Sequence, residues 1–94
     1  MDYMGVLDTF MQGIKDNGRV SPGHISLFVA IMQVARENGG INPICLFGRD
    51  LMVRAKISSG TFHRAIQDLH EFGFIRYTPS YNHFLGSLVY VVHA

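Results

Sequence analysis

Residues 48–78 read GRDLMVRAKISSGTFHRAIQDLHEFGFIRYT, and the fold turns on how this stretch divides. Gly48, Arg49 and Asp50 open a short helix through Ala55, with Leu51 and Ala55 four positions apart on one inward face. Lys56, Ile57 and Ser58 make a three-residue turn. Ser58 can cap a second helix that runs to Phe72 and closes at Gly73. At ~100° per residue, Phe62, Ala65, Ile66, Leu69 and Phe72 share one face of that helix. Gly60, His63, Arg64, Gln67 and Glu71 share the other. The first set is expected in a core and the second in solvent. Downstream, 74–78 and 88–92 are rich in aromatic and β-branched residues, and the nine residues 79–87 between them contain Pro, Asn and Gly. This pattern predicts a hairpin with a long loop.

Upstream, Met4, Leu7, Phe10, Met11 and Ile14 form an apolar stripe that predicts a helix from Asp2 to Asp16, ended by Asn17 and Gly18. Ser21 and Pro22 then suit the cap and first position of another helix, which Asn38, Gly39 and Gly40 stop. Its apolar residues Ile25, Leu27, Phe28, Val29, Ile31, Met32, Val34 and Ala35 cover most of its circumference, so it is expected to be the buried central helix. Ile41 to Phe47 is apolar but interrupted by Pro43, which predicts a brief edge strand.

These elements add up to one α+β domain over 1–94. Hydrophobic residues make up 48% and charged residues 16%, enough apolar material for a core and too much for a disordered tail. The formal charge of +1 gives no whole-molecule case for a polyanionic partner, so any such case rests on where the charges sit. The single cysteine excludes an internal disulfide, and Cys45 between Ile44 and Leu46 reads as a small strand hydrophobe. No apolar run approaches the ~20 residues that span a bilayer, and Asp2 is acidic where a signal peptide is basic, so a cytoplasmic protein is expected. His63 and His70 are seven apart, beyond the one-turn spacing of two zinc ligands on a helix. With no phosphate loop, paired carboxylates or nucleophile elbow, neither an enzyme nor a metal or other cofactor is expected.

Leu51, Ala55 and Ile57, then Ser58 to Leu69 (SSGTFHRAIQDL), then Glu71 to Ile75 (EFGFI) resemble the winged helix-turn-helix family. The likeness is strongest to the small stand-alone versions carried by bacterial phages, plasmids and conjugative elements. It covers about two-thirds of the chain and leaves the first helix outside it. The resemblance implies a helical core with a C-terminal hairpin wing, double-stranded DNA as partner, and a second helix that enters the major groove. The role it implies is a small transcriptional regulator or mobile-element accessory factor. The alternative is a winged helix that serves as a protein-interaction module in a replication-initiation or similar assembly.

Under that reading the outward face has suitable chemistry. Arg64 can pair with guanine O6 and N7, Gln67 can pair with adenine N6 and N7, His63 lies beside them, and Gly60 permits close backbone approach. Ser59 and Thr61 lie in the first turn, where hydroxyls and free N–H groups hold phosphate. Arg49, Arg54 and Lys56 flank the first helix and the turn as further phosphate candidates. Residues 1–47 carry a net charge of −1 and 48–94 a net +2, which favours the same half of the chain. The wing candidates Tyr81, Asn82 and His83, with Phe84 and Leu85, include no Lys or Arg. DNA contact there relies on hydroxyls, amides and a His83 charge, and the loop is equally suited to a protein surface. So few phosphate contacts favour a homodimer, for which residues 1–17 are the candidate helix.

Overall fold

Asp2 accepts the Gly5 N–H at 3.0 Å and so starts α1 (Tyr3–Gly13) in the computed structural model, which describes residues 1–82 and 84–92. The sequence stripe is rotated here. Phe10 and Ile14 are buried with Val6, Leu7 is half-buried, and Met4 and Met11 are 74% and 44% exposed. The cause is aromatic packing: the Phe10 ring lies flat on Phe28 with centroids 3.9 Å apart and meets Phe74 edge-on at 5.0 Å. Val6 and Ile14 lie one turn either side of Phe10, whereas Met4 and Met11 lie ~100° or more around the helix. The helix therefore completes the core of its own chain, and only its methionine side is left for any partner.

The helix α2 (Pro22–Glu37) follows Ser21, as expected, and buries Leu27, Phe28, Ala30, Ile31, Met32, Val34 and Ala35. Val29 departs from the expected pattern and stays about half exposed. Next come β1 (Ile44–Leu46), α3 (Gly48–Ala55), α4 (Ser59–Glu71), β2 (Ile75–Thr78) and β3 (Ser87–Val91). The sheet is antiparallel in the order β1-β3-β2, so β1 is an edge strand, as Pro43 suggests. Register pairs Ile44 with Val89 and Ile75 with Val91 on the buried face. Cys45 opposite Leu88, and Arg76 opposite Tyr90, lie on the outer face. The Asn42 side chain exchanges two hydrogen bonds with the Val91 backbone, at 2.9 and 3.0 Å, and extends the β1–β3 ladder beyond the strand end.

α2 packs against α3, α4 and β1, and Ser26 on α2 donates its hydroxyl to the Ala55 carbonyl that ends α3. Among the described residues no helix is long and apolar enough to cross a membrane. If Phe10 locks α1 onto α2, Phe10→Ala is expected to cost ~3–5 kcal/mol by the usual cost of a large core deletion. Met11→Ala is expected to stay within ~0.5 kcal/mol. Denaturant titration of the two variants separates a core helix from a surface one.

Candidate nucleic-acid interface

The turn before α4 is made by Lys56, which ends α3 at φ 61°, ψ 43°, in the left-handed region that favours glycine. Its side chain is exposed. Ser58 then caps α4, its Oγ accepting the Thr61 N–H at 3.2 Å and its carbonyl accepting the Phe62 N–H at 2.8 Å. At the other end Gly73 takes φ 85°, which lets the Phe74 N–H reach the Leu69 carbonyl at 3.1 Å. Inside, Phe62, Ala65, Ile66 and Leu69 are buried, as the periodicity predicts. Phe72 is only half-buried, under the Arg19 guanidinium 5.0 Å from its ring centroid.

Asp68 is also buried, which periodicity did not predict. Its Oδ2 accepts from His24 Nε2 at 2.7 Å and its Oδ1 from Arg19 Nη2 at 3.2 Å. The His24 tautomer follows from its other nitrogen: Nδ1 accepts the Ser21 backbone N–H at 3.0 Å, so the proton resides on Nε2. One buried imidazole thus joins the start of α2 to the C-terminal part of α4. The signal available in the sequence was an acid on the flank of an apolar stripe, a position that demands a partner. A second histidine, His70, accepts the Tyr77 N–H on Nδ1 at 3.0 Å and ties α4 to β2.

With that side fixed, Gly60, His63, Arg64, Gln67 and Glu71 are all exposed. His63 turns its Nδ1 back to donate to the Ser59 carbonyl at 2.8 Å, which leaves Nε2 facing away from the helix as an acceptor in the neutral ring. A Cβ built on Gly60 meets nothing within 4 Å. Among the described residues, no carboxylate lies within 4.0 Å of Arg49, Lys56 or Arg64. Ser59 is exposed. Thr61 is half-buried, with its hydroxyl accepting from Ser58 at 3.1 Å and its methyl against Gly23, so it is partly committed to holding α4 on α2.

Arg54 differs most from its expected role as a phosphate contact. Its Nη1 and Nη2 each donate to Glu37 at 2.7 Å and its Nε donates to Asp50 at 2.9 Å. These bonds hold its own pKa above the ordinary value and the Glu37 carboxyl below it. The link is therefore complete at neutral pH and is lost only in acid, as pH falls through the lowered Glu37 value. Arg54 braces the end of α2 against α3, and its charge is already balanced.

On the hairpin loop, Asn82 is exposed and its side chain accepts the Phe84 N–H at 3.0 Å. Tyr81, Phe84 and Leu85 are exposed as well, and His83 lies outside the described residues. The chain matches no protein-family model, no curated protein and no solved structure.

Two variants test this arrangement by denaturant titration. Asp68→Ala leaves the buried His24 N–H without its acceptor and is expected to cost ~2 kcal/mol. Lys56→Gly removes the Cβ from a left-handed position and is expected to stabilise by up to ~1 kcal/mol.

Proposed function

We propose that the chain is a winged helix-turn-helix protein that binds double-stranded DNA with sequence selectivity through α4. In this reading it acts as a small transcriptional regulator or mobile-element accessory factor. The observation that carries the reading is the outward arc of α4. It presents Gly60, His63, Arg64 and Gln67 to solvent, after a turn that carries the unpaired charge of Lys56, while the opposite side is held in the core. A helix fixed on one side and polar on the other is what major-groove entry requires, because base readout fails if the helix can roll.

Arg64 and Gln67 supply bidentate chemistry for guanine and adenine, and His63 Nε2 supplies a further hydrogen-bonding atom for a base edge. Arg49, Lys56 and Ser59 supply the phosphate contacts. A second reading, a protein-interaction module, is favoured by the exposed apolar side chains of Tyr81, Phe84 and Leu85.

Duplexes selected from a random pool, then measured against scrambled sequence at several salt concentrations, test the proposal. Arg64→Ala or Gln67→Ala is expected to cost ~1–3 kcal/mol at the preferred site and to relax selectivity at one or two base positions. Lys56→Ala is expected to weaken all sequences alike and lower the salt slope by about one. Gly60→Ala has open space for its methyl, so it is expected to fold normally yet bind the preferred duplex more weakly. Unchanged affinity and selectivity in Arg64→Ala and Gln67→Ala favours the interaction module.

A further inference from the structure

A groove of about 850 Å³ runs between the first turn of α3 and the hairpin, lined by Phe47, Arg49, Asp50, Val53, Asn82 and Gly86 among others. Its floor is tightly built. A Cβ at Gly86 would stand 3.0 Å from Cys45 Sγ and 3.1 Å from the Phe47 ring, and Cys45 Sγ donates to the Leu85 carbonyl at 3.3 Å. Beside the groove, on the loop, stand Tyr81, Phe84 and Leu85, which are 96%, 90% and 66% exposed. The loop that carries them is braced: Ser80 N–H donates to Ser87 Oγ at 3.1 Å, and Leu85 N–H donates to the Asn82 carbonyl at 3.1 Å.

We propose that this loop and groove form a two-fold contact between two copies of the chain, each loop seating its apolar tip in the groove of the other. Three observations point to a second copy as the occupant. First, knob and hole lie side by side on one surface, the arrangement that becomes self-complementary under a two-fold axis. Second, aromatic side chains carry ~150–250 Å² each. Tyr81, Phe84 and Leu85 on the loop and Phe47 and Val53 in the groove are 46–96% exposed, an apolar surface of the kind that marks an interface rather than an ordinary monomer surface. Third, a net charge of +1 leaves little repulsion between two copies. Residues 79–87 include no Lys or Arg, which favours an apolar partner over phosphate there.

This contact takes self-association away from the first helix and is independent of whether α4 reads DNA. Sedimentation velocity on the full chain across the micromolar range, without DNA, tests it. The wild type is expected to show a concentration-dependent dimer. Phe84→Asp and the milder Tyr81→Ser, both at exposed positions, are expected to weaken dimerisation at least about tenfold with far-UV circular dichroism unchanged. Met11→Asp on α1 is expected to dimerise as the wild type does. A wild type that stays monomeric, or a dimer that survives Phe84→Asp, overturns the proposal.

Discussion

Burial of α2 is the constraint on which the rest depends. Leu27, Phe28, Ile31 and Ala35 are at most 1% exposed, and the other elements are ordered around the core they occupy. Phe28 takes the ring of Phe10 and so sets the rotation of α1. Ser26 and Glu37 hold α3 at two points, through the Ala55 carbonyl and the Arg54 guanidinium. Gly23 and His24 hold α4, the first by admitting the Thr61 methyl and the second by its bond to Asp68. Because interiors are packed to crystal density, a helix fixed at this many points cannot rotate without opening voids. The outward face of α4 is thus a consequence of its inward one.

Local signals were legible in the sequence and distant ones were not. The cap at Ser58, the inward pair Leu51 and Ala55, the turn at Lys56 and the stop at Gly73 each depend on neighbours within a few residues, and each is where the sequence places it. The edge position of β1 was equally legible, from Pro43, although its pairing with β3 was not. The rotation of α1 is not legible locally, because Met4 and Met11 are as apolar as the buried positions yet lie outside the arc that Phe10 presents to Phe28. Among the candidate contacts, Gly60, His63, Arg64 and Gln67 are exposed together as expected. Arg54 is engaged by Glu37 and Asp50 instead, and its pairing with Glu37, 17 residues away in sequence, leaves no local signal. Asp68 and His24 are 44 apart, and no periodicity argument could have joined them.

The resulting surface is chemically divided. One side, formed by α4 and the turn before it, carries guanidinium, amide, imidazole and ammonium groups, and among the described residues no carboxylate lies within 4.0 Å of Lys56 or Arg64. The other, formed by the hairpin loop and the groove beside α3, is mainly aromatic and aliphatic. A polar, charged face suits a wet, salt-dependent interface, whereas an apolar one suits desolvation. The two faces therefore suit different kinds of partner.

Titrating isotope-labelled protein with a duplex selected from a random pool, and following backbone amide resonances, tests whether α4 is the DNA-reading element. A reading helix at α4 gives shifts concentrated on residues 56–67, with Arg64, Gln67 and Gly60 among the largest and α1 nearly silent. Shifts confined to the hairpin loop, or no selected duplex at all, would contradict it.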